Sequence, residues 1–206
     1  ETTQKPYAIF DYSELPLVHI KLTNAEITDQ NFGDYVNAKK YLLIADTVNN
    51  SWRPRVYIQC KNTLGLIHRK NRQFDSAIYY FKECIDIAKE SNERIWTAIA
   101  SGNIGISYYQ QELYSNAIPL LKLDVDSCFK YKAFDNAVNS LIMLVNSYIK
   151  TDKLNDAKQE LKRGWGYADS MRDKTKHLPS LYATTAKLSI ALREYEMAHT
   201  YRDSAK

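Results

Sequence analysis

Bulky apolar residues and small residues return along this chain on a long, regular beat. An aromatic residue or leucine stands three positions ahead of an alanine in Tyr35-x-x-Ala38, Phe74-x-x-Ala77, Tyr114-x-x-Ala117, Leu154-x-x-Ala157 and Tyr195-x-x-Ala198. The alanines fall 39, 40, 40 and 41 residues apart. Four residues after each alanine comes Leu42, Phe81, Leu121 or Leu161, and in the fifth copy Arg202 with Tyr201 beside it. Upstream run Leu64-Gly65-x-x-His68, Ile104-Gly105-x-x-Tyr108 and Leu144-Val145-x-x-Tyr148. Spacings of three and four residues mark one face of a helix, and the fixed period marks a repeated unit. Each period predicts two helices. First helices are expected near 16–31, 54–70, 94–111, 134–150 and 178–192, and second helices near 35–49, 75–90, 115–130, 155–171 and 196–206.

Local signals support these limits. Pro16, Pro54 and Pro179 stand at expected helix beginnings, where proline is tolerated. Pro119 falls within about one turn of its helix start, where a missing donor costs little. Asp75, Ser115 and Asn155, two residues before the repeat alanines, are expected to cap the second helices. The small residues predict close approach, with Gly65 or Gly105 of a first helix facing Ala77 or Ala117 of the second. The bulky residue a turn later then fills the gap beside the next repeat.

At these positions the sequence resembles the tetratricopeptide (TPR) repeat, with its Leu-Gly-x-x-Tyr followed by Ala-x-x-x-Phe. The likeness runs over about residues 15–206 and is strongest in the second and third copies. No proline closes the helices at the usual place, and the period is near 40 rather than 34. Longer periods are similar to those of kinesin light chains and bacterial peptide-sensing regulators. The resemblance implies an all-α, right-handed α-α superhelix of about five helix pairs, with repeats over 15–50, 51–92, 93–132, 133–172 and 173–206. Residues 1–14 show no helical period and are expected to form an arm or a remnant.

Composition agrees. Six glycines and five prolines in 206 residues are under half of roughly average usage, which disfavours a turn-rich β-sandwich. A net charge of +4 without a dense basic block gives no nucleic-acid footprint. No run nears the ~18 apolar residues of a membrane helix. The odd count of three cysteines describes no disulfide framework. The opening Glu1-Thr2-Thr3-Gln4 and the stop early in the last helix read as a segment excised from a longer protein.

Catalytic patterns do not emerge. The four histidines share no metal-ligand spacing, no C-x-x-C occurs, and no nucleophile elbow or phosphate loop is present. His68 fills a slot held elsewhere by Tyr108 and Tyr148 and reads as packing. Cys84 reads as an inert buried thiol. Asp124 and Asp126, two apart, read as solvated charges rather than a carboxylate pair. No enzyme, cofactor or metal is expected.

The remaining signal is a groove. In a stacked array the first helices line the concave side. The faces turned away from the Leu-Gly packing pairs hold Asn62, Leu66, Arg69 and Lys70, then Asn103, Ile106, Tyr109 and Gln110, then Asn139, Asn146, Ile149 and Lys150. Asn24, Gln30 and Lys187 extend the set. Asparagine is a poor helix former, yet it recurs here, and its amide can donate to and accept from a peptide backbone. Arg69, Lys70 and Lys150 suit a carboxylate. The resemblance implies that Asn103, just ahead of Ile104-Gly105, is a peptide-gripping asparagine. The Lys/Asn pair of a chaperone-tail clamp, which would stand at Asn62/Leu66, is missing there and in the equivalent slots.

Of the sixteen tyrosines, Tyr35, Tyr114 and Tyr195 recur near the turn, and Tyr41, Tyr80 and Tyr201 on second helices, so both sets read as packing. Tyr109 breaks that rhythm and is the aromatic expected to meet a ligand.

The function expected is non-catalytic binding of a protein or peptide segment, without nucleic-acid contact. Tyrosine-rich arrays of this period resemble the N-terminal TPR segments of bacterial sensor kinases and transcriptional regulators. That likeness implies an output domain in the same full-length chain, and a homo-oligomer is a further expectation. The compartment is left open: cytoplasmic by default, periplasmic if the segment belongs to a membrane-bound sensor. The alternative is a scaffold that docks partners through its outer surface or terminal repeat.

Overall fold

The computed structural model describes residues 54–168, 175 and 177–205. The expected first repeat, with Asn24 and Gln30, lies outside the described residues. Eight helices occur among those described: α1 Pro54–Lys70, α2 Phe74–Glu90, α3 Arg94–Gln110, α4 Tyr114–Lys130, α5 Phe134–Lys150, α6 Leu154–Ala168, α7 Leu178–Ala191 and α8 Tyr195–Ser204. Their limits lie within three residues of those read from the sequence. Through α6 a new helix begins every 20 residues, so two helices make the 40-residue period.

The short connections share one construction. In each of six turns the second residue has positive φ: Arg72, Asn92, Glu112, Lys132, Asp152 and Arg193. The residue after it donates its N–H five residues back, as from Leu113 to the Tyr108 carbonyl at 2.9 Å and from Lys153 to Tyr148 at 2.8 Å. The positive-φ residue itself bonds three back, Glu112 to Tyr109 at 3.0 Å. This is the Schellman closure, which satisfies the last carbonyls of one helix and reverses the chain. It usually takes glycine, and here none of the six is one.

The same residues open the next helix, which corrects the capping expectation. Gln73 and Leu113 hold the N-cap positions of α2 and α4 and make no side-chain cap bond. Asp75, Ser115 and Asn155 lie inside their helices and are exposed. The chain reversal already fixes the entry angle, so a capping side chain is not required. Pro119 is the sixth residue of α4 rather than a first-turn residue, so one ladder bond is missing there.

Helices pack in order along the chain, and α1, α3, α5 and α7 also touch one another in sequence. The first helices thus form a continuous inner row, and α2, α4 and α6 each bridge two neighbouring first helices from outside. The result is an all-α superhelix.

Ala77, Phe81, Ala117, Leu121, Ala157 and Leu161 are all buried, as the repeat requires. The glycines face a different partner from the one expected. A methyl group added at Gly65 would meet the Phe81 ring, and one at Gly105 would lie 2.9 Å from Leu121 Cγ. Gly164 stands against Leu141 in the same way. Small therefore meets large within a pair, because the residue a turn past the alanine occupies the space the glycine leaves. Phe81 also clusters with Ile104 of the next pair, so one ring closes both seams.

Candidate functional site

The inner row brings three of the sequence-predicted residues into contact across the α1–α3 seam. Arg69 Nη1 donates to Asn103 Oδ1 at 2.9 Å and to the Asn103 carbonyl at 3.3 Å. Asn103 Nδ2 donates to Asn62 Oδ1 at 2.8 Å. A guanidinium has only donors, so it fixes which way each amide points and leaves the Asn62 amino group at the end of the chain. Asn62 is only 5% exposed, so it supports Asn103 rather than lying open along the row. Asn103 and Arg69 are half-buried.

Arg69 lies with its guanidinium carbon 5.8 Å from the centre of the Phe81 ring. Burial pulls its pKa down to about 10. Among the described residues no carboxylate pairs with it. Arg163, on the α4–α6 side, is the contrast. It bonds Asp126 at 2.5 Å and Glu160 at 3.0 Å, and Glu160 also takes Lys122 at 2.8 Å. Although partly desolvated, Arg163 is held above its ordinary range by its bond to Asp126 and the charge of Glu160.

Further along the row, Asn146 of α5 is 7% exposed and has no hydrogen-bond partner among the described residues. Ile106, Tyr109 and Ile149 are half-buried and pack on the main core cluster. Tyr109 meets Tyr114 edge-on, with ring centres 5.6 Å apart, and burial raises its phenol pKa. Lys70, Gln110 and Lys150 are the exposed last residues of α1, α3 and α5 and form a rim. Asn139 and Lys187 are exposed as well. The predicted set thus divides into a cluster at the first seam, a half-open apolar stretch around Tyr109, and a polar rim.

Two features escaped the sequence reading. The Phe81 ring under Arg69 was assigned to packing alone. Asp124, read as solvated, is only 3% exposed. Its carboxylate accepts from Ser140 Oγ at 2.5 Å and Cys128 Sγ at 3.1 Å, and it fills the space beside Gly102. Burial pushes its pKa up to about 6, with the two hydrogen bonds opposing the rise. Asp126 does reach the surface, where Arg163 holds it.

Of the other readings, His68 stacks on Tyr80 at 5.2 Å, and Nδ1 lies 2.7 Å from Gln73 Oε1, a packing role. Cys84 is fully buried, and burial pushes its thiol pKa up to about 12. Tyr195, expected to pack, is 64% exposed. Among the described residues no helix is long and apolar enough to cross a membrane, and no group of three His, Cys, Asp or Glu side chains is placed to hold a metal ion.

The sequence model of the tetratricopeptide repeat matches residues 57–123. Those residues are tetratricopeptide repeats, and the described helices form a TPR solenoid. Such repeats generally mediate protein–protein interaction and are generally non-catalytic.

Among solved structures, BtubC (BKLC) from P. vanneervenii is similar over 94% of this chain and 77% of its own, at 12% identity and a TM-score of 0.69. The TPR-like repeats of a Podosopora anserina kinesin light chain are similar over 94% of this chain and 92% of theirs, at 15% identity and 0.66. MamA from MSR-1 follows, over 91% and 94%, at 15% identity and 0.54. At such identities the likeness concerns the fold. No curated protein sequence matches the chain.

Proposed function

We propose that this chain is a non-catalytic module holding a peptide or extended protein segment along its inner helix row. In the same reading it is the sensory or interaction part of a larger bacterial signalling or regulatory protein. The observation that carries the reading is Asn146. An amide that loses its water on folding and finds no partner is costly, on the order of 1–3 kcal/mol, and such groups are rare enough in native proteins that each calls for an explanation. A bound peptide backbone offers both the acceptor and the donor that this side chain needs. Tyr109 of α3 and Ile149 of α5 add half-open apolar surface packed on one core cluster, and apolar contact with a few placed polar groups is the usual make-up of a ligand site.

The test is to pan a random dodecamer library, displayed on T7 phage with free peptide C-termini, on the full chain. Selected peptides are then titrated by calorimetry. Tyr109→Ala with Asn146→Ala is expected to weaken them at least tenfold while the array stays folded, with helical content by circular dichroism unchanged at the titration temperature. Equal binding by the double variant would refute the groove. A scaffold reading competes on one observation: Ile190, Tyr195 and Met197 of the last pair are exposed apolar residues. Peptides lost on Tyr195→Ser with Met197→Ser, but kept by the groove variant, would favour it.

A further inference from the structure

Equivalent positions of two repeats treat the seam between a second helix and the next first helix differently. Cys84 of α2 and Ala100 of α3 are fully buried and belong to one apolar cluster. Forty residues on, the same slots hold Asp124 of α4 and Ser140 of α5, both buried. The Ser140 hydroxyl donates to Asp124 Oδ2 at 2.5 Å, and the Cys128 thiol donates to Oδ1 at 3.1 Å. Gly102 of α3 leaves the room that the carboxylate fills. An acid therefore sits where α3, α4 and α5 meet, in a slot that is apolar one repeat earlier.

Among the described residues no cation compensates it. Lys122, two residues away on α4, pairs with Glu160 of α6, and Asp126 pairs with Arg163. The groups that face Asp124 are Gly102 from α3 and Ser140 from α5, and neither titrates. On its own helix, burial and the Asp124 charge push the Cys128 thiol pKa up, so the thiol keeps its proton. Asp124 itself, with a pKa near 6, is left as the group of this junction that changes charge.

Ser140 has a choice of acceptor. The buried hydroxyls of Thr63, Ser101, Ser107, Ser147 and Thr184 each donate to the carbonyl four residues earlier in their helix. Ser140 instead donates across the seam. A hydroxyl both donates and accepts. When Asp124 takes up a proton, its O–H can donate to Ser140 Oγ while Ser140 turns its own hydrogen to the carbonyl four residues back. Both side chains are then neutral and satisfied. When Asp124 is charged, one hydroxyl and a weak thiol donor replace the water that a carboxylate needs, and admitting water to the seam becomes favourable.

We propose that Asp124 and Ser140 form a proton-operated latch on the α4–α5 seam, closed when Asp124 is neutral and loosened when it is charged. The proton comes from solvent and returns to it as the seam opens, and no other reactant takes part.

Two measurements on the full chain test the latch. Carbon-13 NMR follows the Asp124 carboxyl, assigned by its loss in Asp124→Asn, from pH 4 to 8. The midpoint is expected near 6, and Ser140→Ala, which removes a donor to the charged form, should move it higher. A midpoint in the ordinary carboxyl range of about 4, or one that Ser140→Ala leaves in place, overturns the proposal. Amide hydrogen exchange, corrected for its intrinsic pH dependence, is then compared at pH 5.0 and 7.5. Protection in α4 and α5 should be about five- to tenfold greater at pH 5.0, with α8 unchanged. Asp124→Asn should abolish the difference. So should Asp124→Cys with Ser140→Ala, which copies the Cys84–Ala100 seam and decides the matter if Asp124→Asn does not fold. An undiminished difference in these variants, or an equal one in α8, would assign the response to other groups and overturn the latch.

Discussion

At the scale of single residues, the informative positions are those where side-chain chemistry and surroundings disagree. Asp124 is an acid in the core whose folded pKa, about 6, lies above the 3.8 of an unhindered carboxyl. The folded chain therefore holds that proton more tightly than the unfolded chain. The penalty is fully present above pH 6 and is relieved as pH falls from 6 toward 4. Between pH 7.5 and 5.0 this one group should add about 1 kcal/mol of stability. Urea unfolding at the two pH values measures it: the gain should appear in the wild type and vanish in Asp124→Asn, and a gain of equal size in both would assign it elsewhere. Asn146 poses the opposite case. Replacing an unsatisfied buried amide by Ala removes a cost, so Asn146→Ala should melt at or above the wild-type temperature, and a drop of several degrees would show that the amide stabilises the fold. Neither residue's surroundings could be read from the letters. The burial of Asp124 depends on Gly102 and Ser140 of two other helices, and a helix-face argument cannot supply such a contact.

At the scale of elements, helices were legible almost to the residue, because apolar spacing and the 40-residue beat act together. Their closures were not. The familiar marker of a Schellman turn is glycine, and this chain places Arg, Asn, Glu, Lys, Asp and Arg there instead. A non-glycine residue in that conformation costs roughly 1–2 kcal/mol, and glycine loses roughly 0.5–1 kcal/mol of that advantage to chain entropy. Glu112 has an exposed side chain and φ of 63°, so Glu112→Gly alters little besides the backbone. It should raise stability by about 0.5–1 kcal/mol in chemical denaturation, and a loss would mean that the Glu112 side chain contributes more than its backbone strain costs. The glycine error has the same origin as the missed turns. Pattern says that Gly65 and Gly105 mark close approach, but whether alanine or the bulky residue beyond it comes near depends on how far one helix slides along the other.

At the scale of the whole molecule, a stack in which each helix touches only near neighbours gives stability that varies along the axis. The groove is legible at this scale as a surface, since first helices must form one row. Which residues meet across its seams was not, because Arg69, Asn103 and Asn62 are joined over 34 and 41 positions of sequence. The same connectivity sets the order of opening. Helix α3 packs against α1, α2, α4 and α5, whereas among the described helices α8 packs extensively only with α7. Helix α8 also leaves Tyr195 and Met197 in solvent and buries Ala198 alone. Regions with few buried apolar contacts open at low free energy, and the most heavily packed ones open only with the whole. Amide hydrogen exchange on the full chain should therefore be fastest in α8, slower in α7, and slowest in α3 to α5. A bound segment lying along the inner row would link α3, α5 and α7, so it should slow exchange in α7 more than in α4, which faces away. Uniform protection from α3 to α8 would mean that the array opens as one block, and slowing confined to α4 and α6 would place the ligand on the outer surface.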